Sequence, residues 1–219
     1  LLSAKEKISL NPFAKHQIAA GYETWYLTIG RQADRQEKAL LQWLLTAFPE
    51  MHTILEVGCG TGHFTRWFTE LGLQAVGLDP SHPMLDEVLS LSSPVYLQGD
   101  ALTLPFLSKS FDLVSLITTL EFLPDPLKAL TEALRVARQG ILLGVLNAES
   151  RLGREYKRKG GPIWEVARFF TPCELRQMLR VVVAGEEVKV IWRTALWPFW
   201  PGALPLPWGG FIGMAVKLS

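Results

Sequence analysis

From Met51 onward the chain alternates short apolar runs with stretches whose apolar residues recur every three or four positions, the pattern of strands and amphipathic helices taken in turn. "TILEV", Thr53 to Val57, reads as a first buried strand. "GHFTRWFTELG" follows as a helix, with Phe64, Trp67, Phe68 and Leu71 on one face and Gly72 as its stop. "QAVGLD" is a second strand, Ser81 and Pro83 open a helix over "HPMLDEVLSL", and "PVYLQGD" supplies the third strand. "FDLVSLITTL" is an apolar run rich in β-branched residues, as a central parallel strand should be. Asp125 and Pro126 start the next helix, in which Leu127, Leu130 and Leu134 repeat, and Gly140 separates it from a fifth strand, "ILLGVLN". Thr171 and Glu174 form a T-x-x-E capping box for "TPCELRQMLRVV". "EVKVIWRTA" and "FIGMAVKL" then alternate as an antiparallel pair, joined by a segment rich in Pro and Trp.

Ahead of this series, "RQADRQEKALLQWLLTAF" places Leu40, Leu41, Trp43, Leu44, Leu45 and Phe48 on a broad apolar face that Pro49 ends. Alternating strand and helix predicts an α/β fold with a mostly parallel sheet. At 219 residues one domain is expected, and 48% hydrophobic against 20% charged residues is the balance of a soluble globular chain. A net charge of +1 gives no broad pull toward nucleic acid or anionic lipid. Cys59 and Cys173 are far apart in sequence and read as two reduced thiols in a cytoplasmic protein. The N-terminal "LLSAKEKISLNPFAKH" lacks the long apolar core of a secretory signal. Thr194 to Val216 carries no charge over a length that could span a bilayer, but its prolines and glycines remove helical hydrogen bonds that lipid cannot replace, so no transmembrane helix is expected.

The candidate chemistry lies at "LEVGCGTG". A strand, a glycine turn and a helix let the backbone approach a ligand closely while the free NH groups of the helix start point at it. Gly58, Gly60 and Gly62 are spaced G-x-G-x-G, whereas a dinucleotide fingerprint is G-x-G-x-x-G. Glu56 stands two residues before the first glycine. It would repel a pyrophosphate and attract an ammonium group, so the pair of features fits a nucleoside with an amino-acid head, such as S-adenosylmethionine, better than NAD. Asp79 and Asp100 end the next two strands, where they could accept from ribose hydroxyls and from an adenine amino group. The plainer alternative is that Glu56 accepts local backbone hydrogen bonds and the aspartates are caps or turn residues.

These residues resemble the class I S-adenosylmethionine-dependent methyltransferases, in particular the type 11 methyltransferase domain family. "LEVGCGTG", "GLDPSHPML" and "GDALTLPFLSKSFDLV" are similar to its first three motifs, and the match runs from about Tyr22 to Asn147. The resemblance implies a Rossmann-like three-layer sandwich: a seven-stranded, mostly parallel sheet with an antiparallel C-terminal strand and helices on both faces. It implies one methyltransferase domain over residues 1–219, with a helical lid or preface at 1–50, a cofactor-binding half at 51–147, and a substrate-side insert with the C-terminal strands at 148–219. It also implies that Glu56, Gly58, Cys59, Gly60 and Gly62 surround the methionyl part of the cofactor and that Asp79 holds the ribose. Pro80 and Met84 would lie near the adenine, Asp100 and Ala101 would meet its edge, and Ile117 and Thr118 would lie beside the sulfonium. Tyr22, Trp25 and Tyr26 of "AAGYETWYLT" would fold over the cofactor. Two positions depart from the family pattern: Glu121 and Phe122 stand where many relatives have a histidine pair, and "ARQG" replaces the Lys-Pro-Gly-Gly turn.

The reaction implied is methyl transfer to a small molecule, and the alternative is a binding subunit that has lost catalysis. In-line transfer needs alignment more than side-chain chemistry. If the nucleophile arrives protonated, the candidate bases are Tyr22, Tyr26, Glu121 and His16. No metal site is expected. Two segments remain: the basic run from Arg151 to Lys159, which either grips an acidic substrate or is a solvated helix face, and the Trp197 to Trp208 loop. That loop either exposes an apolar patch for a partner, a second copy, a lipid-like substrate or a membrane surface, or folds back on the sheet edge.

Overall fold

A computed structural model describes residues 12–88, 94–185, 187–198 and 200–218. Two helices precede the sheet, α1 (His16–Leu27) and α2 (Arg31–Leu45). Then come β1 (Thr53–Val57), α3 (His63–Glu70), β2 (Gln74–Asp79), α4 (His82–Asp86), β3 (Val95–Gln98) and β4 (Phe111–Ile117). The chain continues through α5 (Pro126–Val136), β5 (Ala137–Leu146), α6 (Arg151–Lys159), α7 (Pro172–Val182), β6 (Val188–Ala195) and β7 (Phe211–Leu218). Seven strands form one sheet in the order β3-β2-β1-β4-β5-β7-β6, with β7 antiparallel to both neighbours.

This is the α/β architecture expected from the alternation. The chain leaves β1 toward β2 and β3, then returns to place β4 on the other side of β1. That reversal opens a crevice beyond the carboxyl ends of β1 and β4, the usual place for a ligand in such sheets. Helices α2 and α3 cover one face, where Leu41, Phe48, Phe68 and Phe211 are fully buried, and α5 and α7 cover the other around Leu130, Leu143, Phe170 and Leu175. The predicted capping box at Thr171 forms in both directions, each backbone NH accepted by the other residue's side chain.

Several expectations shift. Leu127 faces solvent, and the buried side of α5 is Pro126, Ala129, Leu130, Ala133 and Val136; alanines let the helix lie close to the sheet. Gly140 is not the boundary after that helix, because β5 begins at once with Ala137, paired to Phe111. Glycine is needed at 140 for another reason: a Cβ there would sit 2.1 Å from the carbonyl oxygen of Val216 in β7. Trp43 is half-exposed and covered by the Arg193 guanidinium 4.2 Å from its ring. The helix opened by Ser81 runs only to Asp86, and the later part of its predicted span, residues 89–91, lies outside the described residues. β6 and β7 pair as expected, but β7 lies between β5 and β6, because its Phe211 to Val216 are buried on both faces and require neighbours on both edges.

Candidate active site

The glycine turn has the conformation its sequence requires. Gly58, Gly60 and Gly62 all adopt left-handed φ, at 76°, 55° and 75°. The amides of Gly58 and Cys59 donate to the Leu78 carbonyl at 2.7 and 3.1 Å, so the turn is tied to β2 through backbone alone. A Cβ at Gly58 would meet the Thr119 side chain at 2.3 Å, and one at Gly62 would meet the Tyr96 ring. At Gly60 the neighbours are the Met84 methyl and the Tyr22 ring, 3.0 and 3.8 Å from the Cβ position. Tyr22, Gly60 and Met84 are therefore gathered at one point.

The strand-end acids do different things. Asp79 is buried, and each of its oxygens accepts a backbone amide at 2.8 Å, from Gly60 and from Ser81. It braces the turn from β2. Burial raises its pKa, countered by those two amides. Glu56 lies beneath the turn, 2% exposed, and accepts the Thr65 hydroxyl of α3. Burial pushes its pKa up to about 8. Asp100 is exposed and accepts the Leu102 amide at 2.9 Å, with Ala101 buried beside it. Pro80 is exposed and Ile117 is buried. Thr118 follows with φ of 51°, its amide donating to the Gly144 carbonyl at 2.7 Å. A β-branched residue in that conformation is strained, a feature that clusters at functional sites.

Thr118 opens into a cavity of about 340 Å³ at this edge of the sheet. Its walls are largely aromatic. Tyr22, Trp25 and Tyr26 of α1 line one side and the stacked pair Tyr156 and Trp164, 4.3 Å apart, lines the other. The bases considered from sequence fare unevenly. Tyr22 and Tyr26 line the cavity, but burial raises both phenols, Tyr22 to about 12, which makes them poor bases near neutral pH. Glu121 is buried behind the wall, with Oε1 accepting the Leu146 amide at 2.7 Å and Oε2 without a hydrogen-bond partner among the described residues. Burial lifts its pKa to about 8. His16 is exposed and 3.9 Å from Asp86, outside the cavity lining.

Sequence reasoning missed Glu37. This buried carboxylate of α2 lines the cavity, and burial together with the Asp34 charge raises its pKa to about 7, against opposing pulls from His63 and Lys38. A signal was present: Glu37 stands three and four positions before Leu40 and Leu41, on the apolar stripe of its helix.

A charged clasp was also missed. It joins α1 and α2 to the glycine turn and α3. Glu23 accepts from Thr61 at 2.5 Å and Arg66 at 2.7 Å, while Arg66 also donates to the Thr61 carbonyl at 2.6 Å. His63 Nε2 lies 2.7 Å from Asp34 and 2.9 Å from Lys38, and the imidazole stacks on Tyr26 at 3.7 Å. Burial opposes the imidazolium, but the Asp34 and Glu23 carboxylates outweigh it and hold the His63 pKa above its ordinary 6.5. The stabilisation from that proton is fully present below 6.5 and is lost as pH rises through the raised value. The lead of wild type over His63→Gln in urea midpoint should therefore be largest below pH 6.5 and shrink as pH is raised above it. A lead that does not change with pH would mean His63 is not protonated in the fold.

Among the described residues, no group of three or more His, Cys, Asp or Glu side chains is placed to hold a metal ion. The sequence model of the family described as a methyltransferase domain matches residues 55–144. The chain is 37% identical over 198 residues to a demethylmenaquinone methyltransferase of Roseiflexus sp. strain RS-1, covering 83% of this chain and 82% of that one. Its fold is similar to a Thermotoga maritima S-adenosylmethionine-dependent methyltransferase described as a possible histamine N-methyltransferase, at 28% identity and a TM-score of 0.74 over 94% of this chain and 99% of the other. A Synechocystis magnesium protoporphyrin IX methyltransferase solved with S-adenosylhomocysteine shares the fold at 15% identity and a TM-score of 0.62, over 87% and 84%.

Proposed function

The chain belongs to the S-adenosylmethionine-dependent methyltransferases of the methyltransferase domain family, and from that premise we propose that it methylates a flat, apolar, electron-rich aromatic ring bearing an ionisable hydroxyl. One observation carries this reading: among the described residues, Glu37, with a pKa of about 7, is the single carboxylate lining a mostly apolar cavity whose other polar side chains are those of Gln17, Thr118 and the aromatic tyrosines and tryptophans. The Roseiflexus relative is named for demethylmenaquinone, whose reduced dihydroxy form is a ring of that kind. Nothing in the comparisons favours the alternative of a binding subunit without catalysis.

The glycine turn fits the cofactor. Three left-handed glycines shape the turn, and Gly60 is the least crowded of them, with only Met84 and Tyr22 within 4 Å of its Cβ position. We assign Gly58, Cys59, Gly60 and Gly62 to the methionyl part, Asp79 to the ribose, and Pro80, Met84, Asp100 and Ala101 to the adenine. Ile117 and Thr118 are assigned to the sulfonium side, and Tyr22 and Trp25 to the lid. Glu56 acts from beneath the turn, where a nearby ammonium would favour its ionised form. In this division residues 1–50 are the helical lid or preface, 51–147 the cofactor-binding half, and 148–219 the substrate-side insert with the C-terminal strands.

Bound S-adenosylmethionine supplies a methyl group made electrophilic by its sulfonium. Glu37 takes the hydroxyl proton of the acceptor, and a pKa near 7 leaves it free to do so at neutral pH. Tyr156, Trp164 and Trp25 hold the ring by their faces and keep water out of the cavity. Glu121 positions the wall by fixing the Leu146 amide.

The test is incubation with labelled S-adenosylmethionine and a panel of acceptors: a 1,4-naphthohydroquinone lacking a methyl at the 2-position, its oxidised quinone, catechol and histamine. Label should enter the hydroquinone and not the quinone, which lacks the nucleophile. Transfer to histamine alone would overturn the acceptor class.

A further inference from the structure

We propose that the surface beside the cavity formed by α6 and the described residues of the Trp197 to Trp208 loop docks on an anionic lipid bilayer. The proposal rests on reading the cavity as a site for an apolar acceptor. The loop is rooted firmly. Thr194 and Leu204 exchange backbone hydrogen bonds of 2.9 Å, Thr194 Oγ1 donates to the Leu206 carbonyl at 2.6 Å, and Asn147 Nδ2 donates to the Pro207 and Gly209 carbonyls at 2.6 and 2.8 Å. Its tips nevertheless project. Trp200, Leu206 and Trp208 are 56%, 41% and 59% exposed. Of the two sequence alternatives, each describes part of the loop: the root folds onto the sheet edge, with the Trp197 indole donating to the Thr194 carbonyl, and Trp200, Leu206 and Trp208 face out.

Beside it, α6 carries five Arg or Lys side chains from Arg151 to Lys159 against the single acid Glu155. All five are exposed, and among the described residues none is within ion-pair distance of a carboxylate. The whole chain has a net charge of only +1, so this is a local concentration. The two features are neighbours. A Cβ on Gly210, at the loop's end, would lie 2.8 Å from Leu152 of α6, and Leu152 and Leu196 both line the cavity.

Exposed tryptophans and cations, on two neighbouring elements that adjoin the cavity through Leu196 and Leu152, match the chemistry of a bilayer surface. Indole rings sit at the headgroup level, basic side chains attract anionic lipid, and an apolar molecule could pass from the acyl layer to the cavity without crossing water. A second copy of this chain fits poorly, because a two-fold contact centred here would set five cations against five. No described helix is long and apolar enough to cross a membrane, so attachment here is to a surface.

The test is co-sedimentation of the full chain with phosphatidylcholine vesicles, with and without phosphatidylglycerol, in the absence of any acceptor. Binding should require phosphatidylglycerol, weaken with salt and shift tryptophan emission to the blue. Trp200→Ala with Trp208→Ala, and separately Arg158→Gln with Lys159→Gln, should each weaken it at least about tenfold while leaving circular dichroism and transfer to a soluble, tail-less hydroquinone unchanged. Absence of vesicle binding, or binding indifferent to both pairs, overturns the proposal. So does a dimer that the tryptophan substitutions abolish without any lipid effect. A wild-type chain that transfers methyl to the hydroquinone but does not bind the vesicles sinks this inference alone; a wild-type chain that binds them without transfer to any aromatic hydroxyl sinks the acceptor reading alone.

Discussion

Glu37→Gln is expected to lower kcat by about two to four orders of magnitude while leaving S-adenosylmethionine affinity within about twofold. Amide and carboxyl have nearly the same shape, so the cavity stays filled, but the variant cannot accept the acceptor's proton. The wild-type rate should rise with pH through about 7, as Glu37 ionises, and the residual rate of the variant should lose that limb. Stability moves the other way. A carboxyl whose pKa is raised on folding holds its proton while the unfolded chain releases one. Its contribution is present below the ordinary 4.5 and is lost as pH rises through about 7. Above that pH the amide variant should be more stable than wild type by about 3 kcal/mol, from the size of the raised value. A variant less active and more stable, read by initial rates and urea melts at pH 8, separates a functional carboxylate from a structural one. Unchanged kcat would remove Glu37 from the mechanism.

Asp79→Ala should have the largest effect on cofactor affinity, weakening S-adenosylmethionine by more than tenfold and on the order of a hundredfold. Two losses combine. The ribose hydroxyls lose their proposed acceptor, and the amides of Gly60 and Ser81, each held at 2.8 Å, lose theirs. Releasing Gly60 lets the turn sample conformations that no longer fit a ligand, and leaving two buried amides unpaired costs about 2 kcal/mol of stability after the burial penalty of the carboxylate is removed. Asp79→Asn keeps one acceptor and should recover part of both effects. Calorimetric titration at a temperature where all three proteins are folded checks the binding claim. Unchanged affinity in the alanine variant would take Asp79 out of the site.

The clasp and Glu37 together tie the N-terminal helices to the glycine turn and to the cavity. Glu23 and Asp34 lie in different helices, yet both reach the helix that starts at His63, and Glu37 reaches the cavity from the same turn of α2 that carries Asp34 and Lys38. The same contacts that tie α1 and α2 to the glycine turn therefore place the proposed base in the cavity wall. Weakening the clasp should disturb affinity and turnover together.

Sequence by itself determined the strands, most of the helices, the glycine turn and the cofactor class, because each rests on local rules. Period-two and period-3.6 patterns report burial of one face, Thr171 with Glu174 fixes a helix start, and three glycines at alternate positions can adopt left-handed φ where other residues resist it. Only the tertiary structure decided which carboxylate faces the cavity, that β7 inserts between β5 and β6, and that the tryptophan loop is rooted yet open at its tips. Those depend on contacts between residues far apart in the chain. Glu37, Thr118 and Trp164 meet around one space although no local pattern links them, and the pKa of a carboxylate is set by what surrounds it after folding rather than by its neighbours in sequence.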